Sequence, residues 1–414
     1  MSSQSVVFDP LTLPCGKVLK NRVVKAAMEE NMAATGCLPD HNLFSLYRYW
    51  AHGDLGMVIT GNVMVDRQAM TGAGGVVLEK QTCIEPFVRW AKVIKSGGAC
   101  AVMQINHPGR QVFRAVSATA LAPSEVPLKM GQYTKQFAQP REMTCEDIYA
   151  VTQRFVDTAK KAQQAGFDGV EIHAAHGYLL AQFLSPLTNQ RQDQWGGALA
   201  NRARLLLNIV SQIKAVCHSG FLVMVKLNAS DFQRGGLTLD EAKTIVGYLN
   251  KLDIDCVEVS GGNYEAPAMQ GKSGDEQVLG KHGYFTEFAA QIAQVATMPV
   301  MTTGGIVSLR SAEQVLAQGC ELLGMASALA TTPDLVRKWQ QMPGYKGSIP
   351  DCDWQDKTLA SIVKMSMVRR QLRRLGNDLS TMRSPRPLWS LILDMLHRQR
   401  QVRRLRRDKQ NAGE

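Results

Sequence analysis

Short apolar runs, many rich in β-branched residues, recur along the first 330 residues. Eight of them, at 23–27, 57–61, 100–105, 169–173, 222–226, 256–260, 300–304 and 322–325, have the length and continuity of parallel strands buried on both faces. Between them the apolar period changes to that of helices. Residues 147–165 place Ile148, Val151, Phe155, Val156, Ala159 and Ala162 on one stripe; residues 201–216 do so with Leu205, Ile209 and Ile213; residues 240–252 and 311–318 follow. Asp240 and Ser311 read as N-caps, with Glu241 and Glu313 in the first turns, and Gly166 and Gly319 read as helix stops.

Eight strands alternating with helices over this length predict an α/β chain folded as a (β/α)8 barrel, with its functional groups at the carboxyl ends of the strands. The competing doubly wound sheet would want Gly-x-Gly-x-x-Gly after the first strand, and none is there. Residues 115–142 carry Pro123, Pro127, Gly131 and Pro140. That is too long and turn-rich for a plain strand-to-helix connection, so an excursion after strand three, read as a hairpin, is expected over the top of the barrel. Residues 1–342 are expected to form the barrel, and 343–414 a linker and a basic helical extension. In the extension Leu388, Leu391, Ile392, Met395, Leu396, Val402 and Leu405 fall near one helical face.

The barrel brings polar residues to one rim: Glu29 after strand one, Gly61 closing strand two, Gln104 on strand three, His173 and His176 on strand four, Lys226 on strand five and Gly304-Gly305 after strand seven. A Gln that donates and accepts, beside a Lys, suits the edge of a polar heterocycle. Thr303-Gly-Gly-Ile306 and Gly324-Met-Ala-Ser327 suit a phosphate, which barrels often bind after strands seven and eight. Gly-Gly is common turn chemistry, and Gln104 or Lys226 alone could be a solvated strand end. Together they point to a nucleotide-like cofactor.

His173, His176 and Tyr178 stand within six residues. On their own they read as a metal half-site or a buried polar cluster. A His-x-x-His pair needs a third protein ligand for catalytic zinc; alternation puts Glu171 on the same side as His173, but no metal is expected.

Composition narrows the classes. The 414 residues are 45% hydrophobic and 20% charged, as in folded soluble proteins. The first ten residues lack a basic start followed by an apolar run, and no segment offers about 18 uninterrupted apolar residues, so a cytoplasmic protein is expected. Nine scattered cysteines without a Cys-x-x-Cys pair argue against disulfides, structural zinc and iron–sulfur clusters. The net charge of +11 belongs to residues 364–409, where 14 Lys/Arg face Asp378, Asp394 and Asp408. An appendage packing on the barrel or on a partner subunit is the first reading of this tail. Weak contact with an anionic membrane surface is the second, and nucleic-acid contact the last, with no nucleic-acid partner expected. Homo-oligomerisation stays open.

Four stretches make a family resemblance specific. Asn21-Arg-Val-Val-Lys-Ala-Ala-Met28, Gln104-Ile-Asn-His-Pro-Gly-Arg-Gln111, His173-Ala-Ala-His-Gly-Tyr178, and Leu184-Ser-Pro-Leu-Thr-Asn-Gln-Arg-Gln-Asp193 with the following Trp195-Gly-Gly-Ala-Leu-Ala-Asn-Arg-Ala-Arg204, resemble the old yellow enzyme family of FMN-dependent NADH:flavin oxidoreductases. The similarity runs from about residue 6 to about residue 340. It implies that Ala26, Ala27, Glu29 and Gly61 lie along the flavin, Gln104 pairs with its pyrimidine edge, Lys226 faces the N1/O2 side, and Gly304, Gly305, Ala326 and Ser327 hold the phosphate.

It further implies that NADH or NADPH reduces FMN and is replaced by a small-molecule alkene activated by a carbonyl or nitro group. His173 and His176 would then bind the developing oxyanion and Tyr178 would donate the proton. The sequence departs from the commoner pattern at Ala27 and Glu29, where Pro and then Thr or Cys are usual, at Lys226, where many members have Arg, and at Ser327, where Arg is common. If those changes spoil the site, the alternative is a flavin-binding barrel with altered redox activity that tethers through its basic tail. The scattered cysteines and the length disfavour the larger iron–sulfur relatives that act on dienoyl-CoA or amines.

Overall fold

The computed structural model describes residues 5–270 and 284–412. Eight parallel strands form a ring: β1 (Val23–Lys25), β2 (Met57–Ile59), β3 (Cys100–Asn106), β4 (Gly169–Ala174), β5 (Leu222–Asn228), β6 (Cys256–Ser260), β7 (Val300–Thr303) and β8 (Leu322–Met325). Each pairs with the next and β8 pairs with β1, so the sheet closes. The strands rich in Val, Ile and Leu are buried along nearly their whole length, because helices cover the outside and side chains fill the inside. Two short strands, Val63–Met64 and Val76–Val77, extend the sheet from β3 outside the ring.

The surrounding helices are α1 (His41–Ala51), α2 (Glu85–Lys95), α3 (Cys145–Gln164), α4 (Leu179–Leu184), α5 (Leu199–Val216), α6 (Leu239–Asn250), α7 (Thr286–Ala293), α8 (Leu309–Ala317), α9 (Ser327–Thr331) and α10 (Leu335–Gln341). The expected stripe of α3 is buried as read, from Ile148 to Ala162. The caps differ from expectation. Thr238, not Asp240, caps α6 and Ser308, not Ser311, caps α8, each by a reciprocal capping box with the residue three positions on, Glu241 and Ser311. The box satisfies two orphan N–H groups at once, which a lone Asp or Ser further along does not. Gly166 and Gly319 follow α3 and α8 with φ of 85° and 96°, the left-handed conformation of a helix stop.

The excursion is not a hairpin. Thr119–Ala122 pairs in parallel with Gln139–Glu142, and the intervening chain, which includes the 3₁₀ turn Gly131–Gln136, crosses over to make that possible.

Beyond the barrel, α11 (Lys357–Gly376) packs on α1 and α9, and α12 (Pro387–Ala412) packs on α11. The tail thus lies on the barrel, in line with its first reading. His397 and Gln401 reach the carbonyl of Asn31 at 3.0 and 3.2 Å, Arg404 bonds the carbonyl of Ala33, and Asp408 accepts from Gly36 N–H, so α12 grips the loop that follows β1. The expected apolar face of α12 splits. Leu405 is buried against the barrel, while Leu388, Ile392, Met395 and Leu396 are exposed beside Trp389. Among the described residues no helix is long and apolar enough to cross a membrane.

Candidate active site

Alternation along the strands divides the barrel interior into layers. Val24, Met57, Ile59, Val102, Leu222, Met224, Cys256, Met301 and Leu322 form the dry lower interior. One step further toward the carboxyl ends the inward positions become polar: Gln104, Glu171, His173, Lys226, Glu258 and Thr303. Register sets them side by side, Gln104 opposite Glu171, His173 opposite Lys226 and Lys226 opposite Glu258. Gln104 Nε2 donates to Glu171 Oε2 at 2.5 Å, and Lys226 Nζ and Thr303 Oγ1 each donate to Glu258 Oε1 at 2.6 Å. Lys226 is therefore a buried cation paired with a carboxylate on the next strand, not a solvated strand end.

The strand-four motif gathers above this layer. The ring of His173 lies 5.0 Å from that of His176 and 4.8 Å from that of Tyr178, edge-on to both. Ala175 N–H donates to His173 Nδ1, which leaves the ring proton on Nε2. His176 takes a positive φ of 59°, held there by Asn228 Oδ1 accepting from its N–H, and its Nε2 stands 2.7 Å from Ser260 Oγ. Burial pushes both imidazoles well below their ordinary range, helped by Lys226, so both are neutral. Burial pushes the Tyr178 phenol well up, with Tyr264 and Glu29 adding to it, so the phenol keeps its proton; its hydroxyl is 3.1 Å from that of Tyr264. Among the described residues no group of three or more His, Cys, Asp and Glu is arranged to hold a metal ion.

At the ends of β1 and β2 the chain behaves differently from the expectation centred on Glu29. Ala26 is buried and bonds Met325 O through its N–H at 2.9 Å, while Ala27 and Glu29 are half-buried. Glu29 accepts from Thr71 Oγ1 at 2.5 Å. The deeper carboxylate is Glu30, which accepts from Tyr47 OH at 2.5 Å and from Gly61 N–H at 3.2 Å. A side chain at Gly61 would overlap Glu30, which accounts for glycine there. Beneath, Lys25 Nζ bonds Ile59 O at 2.8 Å and lies over the Trp50 ring, and burial lowers its pKa to about 8 against the pull of Glu30.

The last group lies at the ends of β7 and β8. Gly304 and Gly305 have φ of 121° and 72°, a conformation that favours glycine, and any side chain at Gly304 would run into the Tyr284 ring. Thr303 is in register with Gly324, and Ala326 leads into Ser327 at the start of α9. The fold thus gathers the expected residues into three adjoining groups on one face of the barrel. It adds Glu30, Glu171, Glu258, Ser260, Tyr264 and Lys25, which sequence reasoning passed over or left without a role. For Glu258 a signal existed: an acid inside a run read as fully buried has to meet a partner indoors.

The comparisons with known proteins bear on this geometry. The model of the NADH:flavin oxidoreductase / NADH oxidase family matches residues 6–343. The chain belongs to that family. It is 37% identical over 375 residues to the NADH-dependent flavin oxidoreductase iliE of Neonectria sp. (strain DH2), covering 84% of this chain and 49% of the relative. It is 35% identical over 346 residues to the protein of the same name from Hypocrea jecorina, covering 78% of this chain and 86% of the relative. The chain therefore spans about half of the first relative's length and most of the second's. Its fold matches the old yellow enzyme homologue from Zymomonas mobilis with a TM-score of 0.70 at 22% identity, covering 82% of this chain and 94% of that one.

Family membership makes this a flavin-dependent oxidoreductase, with FMN as cofactor and NADH or NADPH as reductant. The residues present fit FMN. The inward wall offers an amide and a cation, and the β7 turn is a glycine cradle in which backbone can approach closely.

Proposed function

We propose that this oxidoreductase reduces a carbon–carbon double bond conjugated to a carbonyl or nitro group. Ala26, Ala27, Glu29 and Gly61 would lie along the flavin ring, Gln104 and Lys226 would meet its pyrimidine edge, and Gly304, Gly305, Ala326 and Ser327 would hold its phosphate. When bound, FMN supplies the hydride that it has taken from the reduced nicotinamide. The observation that carries the reading is the neutral His173 imidazole with the neutral His176 imidazole at 5.0 Å on one side and the protonated Tyr178 phenol at 4.8 Å on the other, ring centre to ring centre.

Hydride addition to an alkene of this kind moves negative charge onto the carbonyl oxygen. His173 offers its Nε2–H there, and His176 does so once the substrate oxygen shares or displaces the Ser260 hydroxyl. Donors already aimed in a buried site stabilise charge that appears only as the reaction proceeds. The α-carbon then needs a proton, which Tyr178 holds, and the Tyr264 hydroxyl at 3.1 Å steadies the phenol and can replace the proton once it is given. Burial of Tyr178 keeps the proton in place at neutral pH.

The test is anaerobic. The purified chain with FMN should bleach with NADH or NADPH and regain its yellow colour on addition of an enone such as cyclohexenone. Bleaching without recovery by enones or nitroalkenes would reject the alkene reading.

A further inference from the structure

We propose that Glu171 and Glu258 hold one proton between them and, with Lys226, form an electroneutral unit beneath the flavin's pyrimidine edge that sets how readily the flavin accepts electrons. The inference rests on the flavin placement proposed above; the proton itself does not.

The geometry comes from the barrel. Inward layers draw on alternate strands, and Glu171 on β4 and Glu258 on β6 flank the inward Met224 and Lys226 of β5. Glu171 Oε2 receives Gln104, and Glu258 Oε1 receives Lys226 and Thr303. The other two oxygens, Glu171 Oε1 and Glu258 Oε2, are buried with no donor from any other side chain or from the backbone among the described residues. Two ionised carboxylates would face each other there as acceptors alone, in a place where water cannot compensate. One proton converts one of them into a donor, and the two carboxyls then bond each other.

The surroundings decide which one carries it. Burial pushes Glu171 well up, and the neighbouring Glu258 pushes it further; burial also raises Glu258, but Lys226 and the hydrogen bonds on it bring it below its ordinary value. The other titratable groups facing the pair do not change the balance. His173 and His176 are neutral, the buried Cys256 thiol keeps its proton, and Lys25 is taken up by Glu30 and Ile59 O. The unit therefore holds one cation, one anion and one neutral acid, so negative charge appearing at the flavin edge on reduction meets no net positive charge from it.

This arrangement makes a prediction that independent carboxylates do not. In Glu258→Gln the remaining Glu171 loses its proton and pairs with Lys226; in Glu171→Gln, Glu258 stays ionised. Either way the charge stays at zero. Each single variant should therefore change the ratio of reduced to oxidised flavin at fixed potential by less than tenfold, which is about 30 mV for a two-electron couple. The double variant leaves Lys226 unopposed and should favour reduced flavin by more than tenfold. Two additive single steps would overturn the proposal.

The flavin-free full chain provides the second readout. Infrared difference spectra at pH 7, wild type minus variant, should show a protonated-carboxyl stretch lost in both Glu171→Gln and Glu258→Gln. In Lys226→Met, where no cation remains, a second such band should appear. Absence of the first band, or its persistence in Glu258→Gln, would overturn the shared proton. Failure to bind FMN would instead reject the functional reading and leave these bands as they are.

Discussion

Asp394, between the two C-terminal helices, accepts from Arg369 Nη2 at 2.8 Å, Arg373 Nη1 at 2.7 Å and Arg398 Nε at 3.0 Å, whereas Glu171 and Glu258 inside the barrel meet a single lysine. Both sites bury carboxylates, and the ratio of cation to anion is inverted between them. Burial raises Asp394, but the arginines outweigh it and hold the carboxyl far below its usual range. It is ionised at any working pH and joins α11 to α12. In the barrel the acids outnumber the cation, so one keeps a proton. A site that cannot change its charge serves the fold; one with an exchangeable proton beside a redox cofactor can serve chemistry.

The largest way to break the comparison is Asp394→Asn. Arginine cannot shed its proton, so the variant leaves uncompensated cations between the helices and should cost about 3–5 kcal/mol, read as a fall in the urea midpoint. Lys226→Met should cost less, because the abandoned Glu258 can take up a proton. Its penalty should shrink as pH falls from 7 to 5, by at most about 1.4 kcal/mol per pH unit, while that of Asp394→Asn holds constant over the same window. A pH-independent penalty for Lys226→Met would show that Glu258 stays charged.

The wild-type pH dependence sharpens the contrast through its signs. The depressed pKa of Asp394 gives stability that is present above the unfolded value near 4 and lost as pH falls below it toward the folded value. The raised pKa of Glu171 works the other way, with its contribution fully present below the unfolded value near 4.3 and lost as pH rises through the folded one. Chemical denaturation from pH 3 to 9 should therefore show the acid-side loss reduced in Asp394→Asn and the alkaline-side loss reduced in Glu171→Gln. The smallest effect belongs to Arg398→Gln. This arginine is nearly half exposed and Asp394 keeps two other arginines, so the change should stay within about 1 kcal/mol.

The same contrast explains what could be read from the chain. The strands were legible because a strand buried on both faces is a continuous apolar run, and Gln104, His173 and Lys226 stood out as polar residues at the ends of such runs. Glu258 stood inside such a run too, but its partner was not legible, since Lys226 comes from another strand and only the closed ring makes them neighbours. Ser260 and Tyr264 gain meaning only once β6 and the loop after it sit beside His176 and Tyr178. After strand one the pattern points to Glu29, but the next residue, Glu30, turns inward to Tyr47 and Gly61, a difference of one position that periodicity in a rim loop cannot resolve. In the tail the apolar positions of α12 were visible, but their division between a buried Leu405 and an exposed turn around Trp389 depends on where the helix lies on the barrel.

The central claim, that a neutral imidazole pair and a protonated phenol complete an alkene reduction, is tested most directly by following the two half-reactions of Tyr178→Phe separately in an anaerobic stopped-flow. Flavin reduction by NADH or NADPH should proceed at the wild-type rate, and reoxidation by an enone should slow by a factor on the order of 10²–10⁴, the usual worth of a positioned general acid. Reoxidation at the wild-type rate would contradict the account.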